Sequence, residues 1–349
     1  MQLYVLERRP TPVRAAPEIG HRKAGAEHET YWCPAICAFD NADRVNEMKL
    51  HSIIALLVVG LALLTGGCGT VPSTPDAAVP VARDFLRARA DRSAGTLYAL
   101  LTAGAKEAIS LDAVVGQVRR ETVSFTSLGA AVQADPGWVQ VPVVDLVVRT
   151  QESEARWPEV RLTLHYEGGQ WRVAWADPLM YLASQAYQNA RYSEELELAE
   201  SIADIDPYHY RGPLERHFAQ RSLERPREAE VALLKAAALA TPAQAPDVED
   251  AAARFRLRLG QPDMALAHCR SALEKAAPYI PQLYSFRWQA DALAVQGRAF
   301  LAKGDRSAAE AAVRDGLSID PENADLAMLR RDLAAKPAPP AATPAPLKP

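Results

Sequence analysis

Two periods of apolar residues divide the chain. Between Val81 and Val118 the spacing is helical: Val81, Phe85 and Ala88 share a face, as do Leu97, Leu100 and Leu101. From Thr122 the period becomes two, beginning with Val123 and Phe125 and continuing with Val139, Val141 and Val143 after the turn Asp135-Pro136-Gly137. Val160, Leu162, Leu164 and Tyr166 form another strand face, with Arg161, Thr163 and His165 on the opposite, solvated side. Gly168-Gly169 predicts a tight hairpin into Trp171, Val173 and Trp175. Helices followed by an antiparallel meander predict an α+β layout, with the helices packed across one curved sheet.

From Asp177 to about Ala335 the pattern is helical throughout and repeats. The last unit shows Gly297, Phe300, Gly304-Asp305, Ala309, Gly316-Leu317 and Asp320-Pro321. Small residues suit a close helix crossing, Gly304-Asp305 a turn between helices, and Pro321 a helix end. Earlier units show Ala183, Tyr192, Ala199, Ile202 and Asp206-Pro207; then Ala229, Leu233, Ala236 and Thr241-Pro242; then Ala253, Gly260, Ala265 and Ala272-Leu273. An extra stretch, residues 278–289, lengthens the spacing before the last unit. These positions resemble the tetratricopeptide repeat of roughly 34 residues. The resemblance implies four units in an all-α solenoid over residues 178–335.

The first half, residues 81–177, resembles the nuclear-transport-factor-2-like cone. Its end, residues 168–178 with Trp171, Val173 and Trp175, is similar to the end of the N-terminal domain of methicillin-resistance-type penicillin-binding proteins. The chain departs from those enzymes in having no Ser-x-x-Lys anywhere. The expected fold is therefore an α+β cone-like domain followed by a tetratricopeptide-repeat solenoid.

Ahead of both halves, Met48, Lys49 and His51 make a basic start, and Ile53 to Leu64 is an almost unbroken apolar run. That is a secretory signal: it is shorter than the about 20 residues a spanning helix needs. Gly66-Gly67-Cys68 resembles the lipobox of bacterial lipoproteins, with Thr65 where that family usually has an aliphatic residue. The resemblance implies a signal peptide over residues 48–67, cleavage before Cys68, and acyl chains on Cys68 that hold the protein at a membrane. Gly69, where an Asp would otherwise direct retention, implies the outer membrane facing the periplasm if the cell is Gram-negative. Residues 1–47 are polar and patternless and are expected to be a disordered upstream extension outside the native protein. Residues 68–80 read as a Pro/Ser/Thr tether and residues 336–349 as a disordered Pro/Ala tail.

Charge and chemistry narrow the function. Residues 1–67 carry seven of the 39 Lys+Arg and seven of the 43 Asp+Glu, so the mature chain keeps the net −4 and has no nucleic-acid footprint. Cys33 and Cys37 lie in the upstream extension without the second pair a zinc site needs. Only Cys68 and Cys269 remain, so no internal disulfide is expected, and Cys269 reads as a small buried hydrophobe. There is no His-Glu-x-x-His, no Gly-x-Ser-x-Gly and no phosphate-cradling loop. No metal, cofactor or catalytic set is expected. His209 and His217 lack the spacing of a helical metal site, and Asp145 is the one acid whose face, shared with Val141, Val143 and Val147, points into the cone.

In tetratricopeptide proteins the first helix of each unit lines a concave groove. The resemblance places Tyr187, Arg254, Leu257, Arg258, Arg298 and Leu301 there. Two readings of the arginines stand. They fork the carboxylates of an extended peptide, or they are solvated or paired with Asp247, Asp250 and Asp291 on the same helices. The expected function is a non-enzymatic, lipid-anchored interaction scaffold of the cell envelope, serving assembly, secretion or cell-wall machinery. One alternative is a ligand-binding or enzymatic cone with the repeats as a docking module. The other is a structural protein whose solenoid packs on its own first half.

Overall fold

The computed structural model describes residues 74–151, 154–280 and 282–335. The signal stretch, Cys33, Cys37, Cys68 and the tail after residue 335 lie outside the described residues. The end of the expected tether is helical: a 3-10 turn, Pro75–Ala78, runs straight into α1, Val79–Ala90. Three further helices follow, α2 (Ala94–Ala99), α3 (Ala103–Ala108) and α4 (Leu111–Arg120). Thr102 and Ser110 cap α3 and α4, their side chains accepting from Ala105 N and Ala113 N at 3.2 Å each.

The strands are β1 (Thr122–Ser124), β2 (Ser127–Leu128), β3 (Val132–Asp135), β4 (Trp138–Arg149), β5 (Glu154–Glu167) and β6 (Gln170–Val173). All pairings between them are antiparallel. Strand β4 is the hub, with β1, β2 and β3 along one side and β5 along the other, and β6 follows β5. The predicted hairpins are in place: Gly137 has φ +82° after Pro136, and Gly168 and Gly169 have φ +56° and +81°.

The sheet departs from simple alternation at Asp145, which has φ +56°. Register runs Val144 to Glu159 and Leu146 to Trp157, so Asp145 stands opposite Pro158, which has no N–H to give. The left-handed residue turns the pleat over. Val139, Val141 and Val143 are buried before it, and Leu146 and Val148 after it. Asp145 therefore does not point inward with the valines; it sits on the rim, where Arg156 Nε lies 3.5 Å from Oδ1 and Thr126 Oγ1 donates to Oδ2 at 3.3 Å. The interior it was expected to face is filled, with Trp157, Trp171 and Trp175 all buried in the core.

The second half is a solenoid of helical hairpins. It comprises α5 (Asp177–Gln188) with α6 (Tyr192–Ile205), α7 (Arg211–Ser222) with α8 (Pro226–Leu239), α9 (Ala245–Arg258) with α10 (Pro262–Ala276), α11 (Phe286–Ala302) with α12 (Arg306–Ile319), and a closing helix α13 (Ala324–Ala334). The first helices start at Asp177, Arg211 and Ala245, each 34 residues after the last, which is the tetratricopeptide period. The next starts at Phe286, because the stretch between α10 and α11 is longer. That stretch is packed rather than looped out: Leu283 and Tyr284 are buried, and Tyr284 Oη donates to Ala243 O at 2.8 Å.

One turn recurs in every hairpin. The first helix ends on a positive-φ residue, successively Ala190, Glu224, Gly260 and Gly304. The next N–H returns to the carbonyl five residues back: Arg191 to Ala186, Arg225 to Gln220 and Gln261 to Arg256 at 2.9 Å, and Asp305 to Phe300 at 3.0 Å. These bonds satisfy carbonyls that a helix end would otherwise leave open. Between units, Asp206 and Asp320 each accept the N–H two residues on, from Tyr208 and Glu322 at 3.2 Å, beside their prolines. The small residues of the last unit make room chiefly for the closing helix. A Cβ on Gly297 would meet Leu329 at 2.8 Å, and one on Gly316 would meet Leu326 at 2.5 Å.

The two halves share one buried cluster that runs from Phe85 through Trp157 to Trp288. At their junction Arg89 of α1 is buried and bonds Glu121 Oε1 at 2.5 Å and Asp177 Oδ2 at 2.7 Å. A second junction lies on the strand face expected to be solvated. Thr163 is buried and hydrogen-bonds Asp206. His165 stacks on Trp138, ring centroids 4.2 Å apart, and Trp138 meets Tyr208 edge-on at 5.8 Å. The loop between α6 and α7 covers this face at Thr163 and partly covers it at His165, while Arg161 stays exposed. The loop before α11 reaches the sheet as well, Arg156 N donating to Gln282 O at 3.1 Å.

Candidate functional site: the row of first helices

Helices α9, α11 and α13 carry a polar row. Asp250 and Asp291 occupy the same place, the sixth residue, in α9 and α11. Arg254 Nε donates to Asp250 Oδ2 at 2.7 Å, one helical turn back. Arg298 Nη2 donates to Asp325 Oδ1 of α13 at 2.8 Å. Asn323 ties the row together: its Nδ2 donates to Asp291 Oδ1 at 2.6 Å, while its Oδ1 accepts the Leu326 N–H at 3.0 Å and so caps α13.

Electrostatics follow from burial and these partners. Burial opposes the charge on Arg254, but Asp250, Asp291 and Asp325 outweigh it and raise its pKa. Burial raises the Asp291 carboxyl, with Asn323 and Arg254 pulling the other way. The row is thus near neutral, with guanidiniums and carboxylates interleaved. Of the two readings of the arginines, Arg254 takes the pairing with Asp250. Arg298 pairs instead with Asp325, on a helix outside the expected set, and Arg258 is exposed.

The expected apolar members lie elsewhere. Leu257 is wedged between two small clusters, one with Ala253, Cys269 and Val295, the other with Ala265, Leu266 and Ala299. Leu301 packs against the last-unit core with Ala309, Val313 and Leu326. Both fill helix–helix seams, because their positions near the ends of their helices face the following unit. Tyr187 is tied into the first seam: Arg221 Nη2 donates to its hydroxyl at 2.9 Å, and its ring tilts against Tyr192 and Phe218. Asp325 and Asn323 were not foreseen. Their signal was an Asn-x-Asp at a helix start, legible only once α13 is known to stack on α11.

The remaining titratable candidates are held by the core. His209 is pushed down to about 4, chiefly by burial, and its Nδ1 accepts from Arg211 N at 3.1 Å, as a neutral ring must. His217 Nδ1 lies 2.9 Å from Ala229 O, and its ring sits edge-on to Phe255 at 5.1 Å. Burial pushes the Cys269 thiol up to about 12, the environment of a packed sulfur rather than a reactive one. Among the described residues no group of three His, Cys, Asp or Glu side chains could hold a metal ion. No described helix is long and apolar enough to cross a membrane.

No family model matches the chain, and no curated protein matches it. Solved structures with related helical repeats do. A PilF structure from Pseudomonas aeruginosa has 15% identity over 45% of this chain and 67% of its own, with a TM-score of 0.40. A kinesin light chain of Podosopora anserina with nearly identical TPR-like repeats has 18% identity over 46% of this chain and 84% of its own, TM-score 0.38. YrrB, a TPR protein with an unusual peptide-binding site, has 17% identity over 45% of this chain and 93% of its own, TM-score 0.26.

Proposed function

We propose that the chain is an exported protein, anchored at a membrane through lipid on Cys68, that grips a polypeptide partner along α9, α11 and α13. The observation that carries the binding half is the row Asp250, Arg254, Asp291, Arg298 and Asp325 across three stacked helices. Stacked repeats bury a continuous core and leave a long face on which an extended peptide can lie. The pair Arg298–Asp325 is more than a third exposed on both sides. Its charges are weakly committed to each other and can be traded for those of a peptide. Arg258 offers a further fork for a carboxylate. Support for the anchor is the signal pattern of residues 48–68.

The binding half is tested by cross-linking capture from intact cells, comparing the native chain with Arg254→Glu plus Arg298→Glu. Partners present with the first and absent with the second are expected; unchanged partners would overturn the groove. Arg258→Glu, at an exposed position, gives the same reading without disturbing an internal pair. The anchor is tested separately by intact mass of the protein from cells, where an unmodified sulfur on Cys68 would remove it.

A further inference from the structure

The Asp-Pro turn between repeats occurs in two settings. Asp206 and Asp320 each accept the N–H two residues on, and a proline follows each. Asp320 is half-buried between α12 and α13. Asp206 is 4% exposed and lies against the sheet, hydrogen-bonded to Thr163 of β5, itself 2% exposed. Its partners are that hydroxyl and the Tyr208 N–H; no cation answers it among the described residues. A buried carboxyl so placed is satisfied when neutral and costly when charged. The neighbouring groups do not relieve it. On α5, Asp177 faces it with a second carboxylate, bonded to Arg89 and held below the usual carboxylate range. In the loop, burial pushes His209 down to about 4, Tyr208 Oη donates to Asp135 Oδ2 of β3, and Arg211 pairs with Glu215 on α7. On β5, His165 Nδ1 lies 3.6 Å from Glu167.

We propose that Asp206 and Thr163 are a proton-operated clasp between the sheet and the solenoid, closed while Asp206 carries a proton and loosened when the proton leaves. A neutral carboxyl meets both partners at once: its carbonyl oxygen accepts from the Tyr208 N–H and its hydroxyl donates to Thr163 Oγ1. Once ionised, it holds an uncompensated charge in a buried seam, opposite Asp177, unless the loop lifts from β5 and admits water. Burial accordingly pushes the carboxyl up to about 7, from 3.8. The closed form therefore binds the proton more tightly, and opening becomes easier as pH rises, by roughly a hundredfold between about pH 5 and pH 8. The bond from Arg89 to Asp177 takes no part, because both partners keep their charges across that range. The device is local: α1 and α5 stay joined while the loop parts the Tyr208 ring from Trp138.

Hydrogen–deuterium exchange of the purified full-length chain at about pH 5 and pH 8, corrected for the intrinsic rate at each, reads the clasp. The Tyr208 and His209 amides, both returned to Asp206, report it. Their opening constant is expected to rise roughly a hundredfold between the two conditions, while α1 and the start of α5 keep their protection. Asp206→Asn, neutral at both and with His165 left in place, should hold the loop closed throughout. Thr163→Val is the second variant: it removes a hydrogen bond that pulls the carboxyl down, so the rise should extend to higher pH than in the native chain. Equal opening at both conditions overturns the proposal. So does a rise that persists in Asp206→Asn, or one that ends in Thr163→Val where the native one ends. An equal loss of protection in α1 and α5 overturns it as well, by showing that the whole fold loosens.

Discussion

Arg89 Nη2 donates to Asp177 Oδ2 at 2.7 Å, joining the first helix of the α+β half to the first helix of the solenoid. The same guanidinium holds Glu121, which Gln117 Nε2 also bonds at 3.1 Å. Burial works against all three charges, yet Arg89 keeps the Glu121 carboxyl below the usual range and is itself raised by Glu121 and Asp177. The two halves are therefore expected to unfold together.

Removing the cation strands two buried acids. Arg89→Met should cost about 3–5 kcal/mol, the size measured when one partner of a buried ion cluster is lost. Urea unfolding followed by both tryptophan fluorescence and far-ultraviolet dichroism checks this. A loss under about 1 kcal/mol, or a native chain whose two probes give separate transitions, would show that the triad does not couple the halves.

The recurring left-handed turn predicts opposite effects at equivalent sites. Ala190 and Glu224 carry a Cβ at φ +56° and +59°, where Gly260 and Gly304 carry none. Ala190→Gly and Glu224→Gly should each stabilise by about 0.5–1 kcal/mol, while Gly260→Ala and Gly304→Ala should each cost about 1 kcal/mol. Melting temperatures of the four single variants decide it; a loss at Ala190→Gly contradicts it.

Asp206 sets a pH dependence. Burial pushes its carboxyl up to about 7, with the Thr163 and Tyr208 hydrogen bonds pulling the other way. The folded pKa lies above that of the unfolded chain, so the folded state binds the proton more tightly, and stability falls as pH rises from about 4 to about 7. Asp206→Asn should flatten this part of the profile, gaining on the native chain by a few kcal/mol at pH 8 relative to pH 4.5. Denaturant titrations at both values measure the difference; parallel profiles would refute the assignment. His209, pushed down to about 4 by burial, acts in the other direction, costing stability as pH falls below about 6.5 in both proteins.

The closing helix depends on two glycines. Gly316→Ala would put a methyl 2.5 Å from Leu326 Cδ1, a fully buried side chain. Overpacking of this kind should cost about 1–3 kcal/mol. Leu326→Ala also destabilises, by opening a cavity, and the double variant should lose less than the sum of the two. Additive losses in that cycle would mean the contact is not the cause.

Much of the fold was legible because it is written locally. The period of two from Val139 to Val143, the hairpin glycines 168 and 169, the turns at Gly260 and Gly304 and the Asp-Pro steps at 206 and 320 each depend on a few neighbouring residues, and each stands where expected. The parity change at Asp145 was not legible, since aspartate is an ordinary strand residue until Pro158 is known to lie across from it. Nor was the burial of Thr163 or the partial cover over His165, which need a loop that follows them by some forty residues. The polar row shows the same divide. Arg254 and Asp250 are one helical turn apart and were paired in one of the two readings, whereas Arg298 finds Asp325 only through the stacking of α13 on α11.

What the sequence alone determined is the alphabet of this protein: which segments are helix or strand, where each hairpin turns, and that hairpins repeat. Those follow from backbone preference and apolar period, which act over a few residues. Only the tertiary structure decided which charges face one another and which faces are covered. Those depend on desolvation and on contacts between residues far apart in the chain, and no local pattern encodes them.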